Sequence, residues 1–342
     1  VFAGFRIKEA IQIAKLQVLG KEAAAELARR ALSFEIRRAY WESVRATANE
    51  QVLERNLELE KLSRDDVRNL VEQGMATTAD SLAEDARYDQ TTLALDDSKS
   101  LLELALLQLS TLIGDRNATG SAAAEAGYEL SSKPGEVPPP APELAGPVKE
   151  AALVEAALAN RPESRGAVAA LNAANHALVA SRADLYPSVL VTGNVSYADP
   201  DPRLFPPVDK FNLTWSAGVR LRYELGGMPG AIERGKAAEA DLEKARADIA
   251  RSRNGIALDV RRCVLALNRS QTSLELTRGL VGQAEESLRV TRQKYDNGLA
   301  KNSDVLQAEI AVLRAGFAVE SKAIDVEIAR ADLARAAALG TL

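Results

Sequence analysis

Toward the C-terminus, small and apolar residues recur at alternating steps of three and four. Val305, Ala308, Val312, Ala315, Val319, Lys322, Val326, Ala329, Leu333 and Ala336 form one such series. This spacing is the seam of a coiled coil. Val281, Ala284, Leu288, Thr291 and Tyr295 carry the same spacing on the segment before it. Many seam positions hold alanine, so the paired helices must approach closely. Helical patterning extends over most of the chain. It predicts one helix from residue 6 to about 71, with a break at Glu72-Gln73-Gly74-Met75-Ala76 and a second helix from about 78 to 113 that stops at Gly114. Gly120, Gly127 and the run Pro138-Pro139-Pro140-Ala141-Pro142 mark a linker. A short helix is expected at 148–159, and Arg161-Pro162-Glu163 opens another that ends before Pro187. A long helix is expected from about Ile232 to Tyr295, broken at Asp296-Asn297-Gly298, followed by a last helix from Asp304 to about Ala338.

The period changes between 188 and 224. From Phe211 to Tyr223 apolar residues alternate with polar or small ones, and Val189, Val191, Val195 and Tyr197 do the same in the preceding segment. A period of two is the signature of a strand with one oily and one polar face. The proline-rich stretch between them, Asp199 to Pro207, cannot continue a strand. The two segments therefore form a long β-hairpin. Phe211, Leu213, Trp215, Val219 and Leu221 lie on its oily face, which would be core in a soluble sandwich and lipid contact in a membrane. Arg220 and Arg222 lie on the other face, which suits a watery lumen.

The two halves of the chain match without a gap over about fifty residues, at an offset of 224. Glu35-Ile36-Arg37-Arg38 falls on Asp259-Val260-Arg261-Arg262, and Gly74, Ala76, Asp80 and Leu82 fall on Gly298, Ala300, Asp304 and Leu306. This duplication divides the chain into a first repeat (1–114), a linker and equatorial segment (115–160), and a second repeat (161–342) carrying the hairpin 188–224. The first copy starts where its own hairpin would be ending, and the chain does not begin with Met. A preceding hairpin and the natural N-terminus are expected to be absent from it. A helix of some 65 residues is roughly 100 Å long at about 1.5 Å per residue. That length suits something that spans a compartment.

Composition narrows the function. Aromatics make up only 4% of the 342 residues, whereas 46% are hydrophobic and 27% charged, a profile of long packed helices. A net charge of −5 without a basic face argues against nucleic acid. With one cysteine, Cys263, and one histidine, His176, a disulfide within the chain is impossible and a Cys/His zinc site nearly so. Cys263 is in phase with Leu242, Ile249 and Ile256 and reads as small core filler. No apolar run approaches the ~20 residues of a membrane helix. There is no nucleophile elbow, phosphate loop or metal-ligand cluster, so neither an enzyme nor a cofactor is expected.

The duplicated helix pairs, the hairpin between Tyr186-Pro187 and Gly226-Gly227, and the turn motifs resemble the TolC-like outer-membrane efflux protein family. The most specific motifs are Tyr295-Asp296-Asn297-Gly298-Leu299 followed by Asp304-Val305-Leu306, and the closing Ala338-Leu339-Gly340-Thr341-Leu342; Val71-Glu72-Gln73-Gly74-Met75 with Asp80 is a weaker first copy. The resemblance implies a mainly α fold with a β-hairpin. Three protomers would form a helical barrel in the periplasm continuous with a twelve-stranded β-barrel in the outer membrane, in contact with its lipid. It further implies a homotrimer acting as the passive exit duct of a tripartite efflux pump or type I secretion system. A periplasmic adaptor (membrane fusion) protein and an inner-membrane pump of the RND, ABC or MFS type would be its partners. Family members contribute four strands each, and this chain supplies one hairpin.

The resemblance also points to a tip. Asp80 and Asp304 follow the turn glycines by six residues. Each is an acid in the first turn of a helix, which stabilises that helix by roughly 0.3–1 kcal/mol, and Thr77 with Asp80 resembles a capping box. Under threefold symmetry the same acids would form rings at the narrow end. The family's second entrance acid corresponds to Gln307 here, which thins the ring. Tyr295 lies at the position of a gate tyrosine with Asp80 as its matching partner; it also reads as an ordinary seam residue. The family's basic link residue corresponds to Ala300, and the adjacent Lys301 is its candidate substitute. The turns Gly74-Met75 and Gly298-Leu299 are the expected adaptor-docking points. The competing readings are a periplasmic coiled-coil adaptor, which would carry one helix pair flanked by Gly-rich β domains, and a structural coiled coil without a pore, which would have no use for an oily strand face.

Overall fold

The computed structural model describes residues 2–114, 149–199, 203, 205–206 and 209–339. In chain order it contains β1 (Phe2–Ala3), α1 (Arg6–Glu72), α2 (Thr78–Ile113), α3 (Glu150–Asn160), α4 (Pro162–Ser181), β2 (Ser188–Ala198), β3 (Asn212–Arg222), α5 (Met228–Asp296) and α6 (Asn302–Ala337). The proline run at 138–142 and Gly340-Thr341-Leu342 lie outside the described residues. α5 starts at Met228, ahead of the expected Ile232, because Leu225–Gly227 already turns as a 3₁₀ helix. Pro229 fits a first helical turn, where its missing N–H costs no bond. By contacts the chain divides into two compact units, 1–27 with 160–255, and 28–159 with 256–342. This grouping differs from the division by repeat.

The first unit holds the sheet, ordered β1-β2-β3. β2 and β3 pair antiparallel over eleven rungs, from Ser188↔Arg222 to Ala198↔Asn212. β1 pairs only at Phe2↔Val189 and Ala3↔Ser188, so the edge of β2 beyond Val189 and the outer edge of β3 have no partner among the described residues. Gly4 follows at φ 56°, and a Cβ there would lie 2.2 Å from the Ala183 carbonyl oxygen, a contact only glycine permits. Phe2, Phe5 and Tyr186 pack edge to face beside it. Asp184 accepts from both Arg6 and Arg234, and His176 Nδ1 meets Glu9.

The second unit is built on two seams of α6. Val326, Ala329, Leu333 and Ala336 join Ile256, Val260, Cys263, Val264 and Leu267 of α5, with Leu153 and Ala157 of α3 closing the cluster. Val326, Ala329, Leu333 and Ala336 are the last four positions of the seam read from the sequence. Leu306, Ile310 and Leu313, offset around the helix, pack instead on Leu59 of α1. α6 thus has two neighbours. The alanines at 334, 336 and 337 are fully buried, as close helix approach requires.

α1 in turn meets α2 through polar rungs. Asn49 Nδ2 donates to Ser98 Oγ at 2.9 Å, and Ser63 Oγ donates to Glu84 Oε2 at 3.2 Å. Asn56 and Thr91, both buried, fall between these rungs at the same heptad step. Polar layers of this kind fix register at some cost in stability.

Leu333 has no exposed surface, so Leu333→Ala should cost about 2–5 kcal/mol through lost burial and the remaining cavity. Denaturant midpoints of the two proteins measure it, and a cost near zero would contradict the packing. Cys263 is 1% exposed and its Sγ lies 3.3 Å from Asp332 Oδ2. Burial first, and the Asp332 carboxylate second, push its thiol up to about 12. At pH 8 about one thiol in ten thousand would then be the reactive thiolate. A maleimide should leave the native protein unlabelled and modify it fully in denaturant, whereas rapid native labelling would refute a buried thiol.

Candidate functional site

The two turns are built alike. After α1, the Gly74 N–H reaches the Val71 carbonyl at 3.0 Å and the Met75 N–H reaches Leu70 at 2.8 Å. After α5, the Gly298 N–H reaches Tyr295 and the Leu299 N–H reaches Lys294, each at 2.8 Å. Both sets are the paired bonds of a Schellman ending, which needs a left-handed residue. Gly74 at φ 71° and Gly298 at φ 72° supply it. Met75 and Leu299 are left 73% and 78% exposed, far more than apolar side chains in a closed core.

Each following helix is capped by its acid. Asp80 Oδ2 accepts from the Thr77 N–H at 2.9 Å and the Thr77 hydroxyl at 2.7 Å, while the Asp80 N–H reaches Thr77 Oγ1 at 3.2 Å. The capping box is complete. In the second copy only half survives, because Lys301 stands where Thr77 stood: the Lys301 N–H donates to Asp304 Oδ2 at 2.9 Å. The Thr77 hydroxyl and N–H hold the Asp80 carboxyl below the usual range, with a smaller pull from Lys301. Lys301 therefore lies near Asp80, and the two turns are neighbours. Asn302 donates to Asp66 of α1 beside them.

Tyr295 is half-exposed, and its hydroxyl has no hydrogen bond among the described residues. Within one protomer it does not meet Asp80. Asp80 Oδ1 is not used by the cap. Gln307 donates to Glu60 at 3.3 Å to each oxygen, and Glu60 is buried. A carboxylate at position 307 would face this buried acid, which accounts for an amide there. The Glu60–Gln307 and Asp66–Asn302 contacts were not visible in the sequence, since no local spacing connects residues so far apart.

The hairpin sorts its residues by face, rung by rung. Val189↔Leu221, Val191↔Val219, Gly193↔Ala217, Val195↔Trp215 and Tyr197↔Leu213 share one side. Ser188↔Arg222, Thr192↔Gly218, Asn194↔Ser216 and Ser196↔Thr214 share the other. The apolar side is open: Leu213, Trp215, Val219 and Leu221 are each 66–75% exposed, and Phe211 56%. Aromatic rings bound this side at both ends. Tyr197 stacks on Phe211 with centroids 5.0 Å apart at the loop end, and Phe2 and Tyr223 stand at the helix end. Eight residues separate Val189 from Tyr197, about 26 Å at about 3.3 Å per residue, of the order of the ~25 Å apolar band of a membrane β-barrel flanked by aromatics. No described helix is long and apolar enough to cross a membrane. No group of His, Cys, Asp and Glu that could hold a metal ion occurs among the described residues.

Comparison with known proteins places this geometry. The chain is similar in fold to a membrane protein from Pseudomonas aeruginosa, with a TM-score of 0.80 and 23% identity over 98% of this chain and 74% of that one. It is also similar to the outer membrane protein VceC of Vibrio cholerae (TM-score 0.75, 22% identity, 98% and 77%). A third likeness is to the Neisseria gonorrhoeae MtrE outer membrane channel in its open state (TM-score 0.76, 18% identity, 98% and 72%). No curated protein sequence matches the chain. Residues 153–339 match the family model described as outer membrane efflux protein. This is a family of passive channel proteins, not enzymes, located in the outer membrane. With its match covering more than half of the sequence, the chain belongs to the outer membrane efflux protein family.

Proposed function

We infer that the chain is a protomer of a homotrimeric exit duct. Its hairpin contributes to a β-barrel in the outer membrane, and its helices form a periplasmic barrel continuous with that barrel. An adaptor docks at the turns Gly74-Met75 and Gly298-Leu299, and an inner-membrane pump of the RND, ABC or MFS type delivers the cargo, in tripartite efflux or in type I secretion. The observation that carries this reading is the hairpin, whose exposed side is apolar on every rung from Val189 to Tyr197 except the small Gly193↔Ala217. Such a surface is unfavourable in water and suited to lipid. Two further features support a trimer. Leu82, Leu93, Leu101 and Leu104 of α2 are 60–68% exposed, as are Leu258 and Leu265 of α5 at 68%. Protomers would close on these outward leucines. The duplicated halves would serve as equivalent staves, 1–114 and 161–342.

At the tip, threefold symmetry would gather Asp80, Asp304, Tyr295 and Lys301 around one axis. Asp80 keeps Oδ1 available, and the Tyr295 hydroxyl is uncommitted, so each is free to bond a neighbouring protomer. Bonds between Tyr295 and Asp80 of neighbouring protomers would hold the tip closed, and an adaptor binding outside Met75 and Leu299 would separate the helix pairs and release them.

Two measurements test this. An Arg at Ala217, on the apolar side, should cost about 2–4 kcal/mol of folding free energy in lipid vesicles, whereas an Arg at Ser216 should be nearly neutral. Equal costs would reject lipid contact. In planar bilayers the full-length protein should form channels, and Tyr295→Phe combined with Asp80→Ala should raise single-channel conductance. Unchanged conductance would leave Tyr295 a plain coiled-coil residue.

A further inference from the structure

The polar side of the hairpin is uncharged until its helix-proximal end. There Arg220 and Arg222, both exposed, stand on β3 opposite Leu190 and Ser188. They are the only charged residues on β2 or β3. Neither guanidinium has an ion-pair or hydrogen-bond partner among the described residues. Two residues along a strand span about 7 Å, so the pair presents adjacent cationic forks on one side. Arg222 also lines a cavity of about 540 Å³ together with Arg6, Arg234, Asp184 and Glu224. Asp184 is already shared, accepting from Arg6 and, at 2.7 Å, from Arg234. Three glycines, Gly226, Gly227 and Gly230, form part of the wall and leave room beside the guanidinium groups. The local balance is four arginines, Arg6, Arg220, Arg222 and Arg234, against Asp184 and Glu224.

We propose that this corner of the hairpin captures oxyanions, taking carboxylate, phosphate or sulfonate groups of the cargo and biasing the duct toward anions where helices give way to strands. Guanidinium forks match the planar edge of such groups with paired hydrogen bonds. An excess of one sign on a wet surface backed by low-dielectric walls raises the local concentration of the opposite ion. The proposal rests on the exit-duct reading, in which this side faces the lumen, and threefold symmetry would repeat the excess around the axis.

The test is the reversal potential of the full-length protein in a planar bilayer under asymmetric KCl. Arg220→Gln with Arg222→Gln should lower the chloride-to-potassium permeability ratio by roughly threefold, and Arg220→Lys with Arg222→Lys should retain it. Inorganic pyrophosphate added on the hairpin side should reduce the wild-type current. An unchanged ratio in the Gln variant would place these arginines against lipid headgroups or other protein and overturn the proposal, as would a wild-type current that pyrophosphate leaves unaffected. Absence of any wild-type conductance would instead overturn the exit-duct reading.

Discussion

A helix that carries two seams must have two neighbours. α6 packs Val326, Ala329 and Leu333 on α5, and Leu306 and Ile310 on α1. α1 then turns another side to α2 through Asn49, Ser63 and their partners. Every helix in this series is therefore satisfied on both sides except those at its two ends. The exposed leucines of α2 and α5 follow from that constraint. Burying a leucine side chain is worth about 1.5–3 kcal/mol, so ends lined with leucine favour further copies over water. The same constraint explains the abundance of alanine: a helix held between two others has little room on either side.

The two repeats solve their pairing differently. Asn49, Asn56 and Ser63 of the first copy correspond to Ser273, Leu280 and Ser287 of the second, and Ser98, Thr91 and Glu84 correspond to Lys322, Ala315 and Ala308. The first pair is thus pinned by polar rungs, and Asn56 leaves Oδ1 buried without a partner among the described residues. An unsatisfied buried polar atom costs about 1–3 kcal/mol, so the first pair trades stability for a fixed register. The second pair packs instead through apolar residues, Val260, Cys263 and Leu267 of α5 meeting Val326, Ala329 and Leu333 of α6. Duplication of the sequence has not produced duplicated mechanics.

Much of this arrangement was legible in the sequence because local chemistry dictates it. Gly74 and Gly298 announce left-handed helix ends, Thr77 with Asp80 announces a cap, and the alternation from Phe211 to Tyr223 announces a strand with two unlike faces. Periodicity gave one seam of α6 and missed the other, because a search for a single repeating stripe stops when it finds one. Contacts between distant residues were out of reach. Glu60 with Gln307, Asp66 with Asn302 and Arg45 with Asp325 join α1 to α6 across more than two hundred residues. The pairing of β1 with β2 was equally hidden, since two residues carry no period. At the two turns, the sequence singled out the acids and the tyrosine. It could not reveal that Asp80 spends one oxygen on Thr77 and keeps the other.

The open edge of the hairpin bears on how the proposed barrel would assemble. Among the described residues the outer side of β3 has no partner strand and leaves its N–H and C=O groups unpaired. In hydrocarbon each such group costs several kcal/mol, whereas in water it is hydrated. The helices need no bilayer to satisfy their own backbone. In the proposed barrel this sets an order: helical pairing can be completed in aqueous surroundings, while the strands would enter the lipid together with their neighbours. Outside lipid the hairpin would present an unpaired edge beside an oily flank, a template for pairing with the wrong strand.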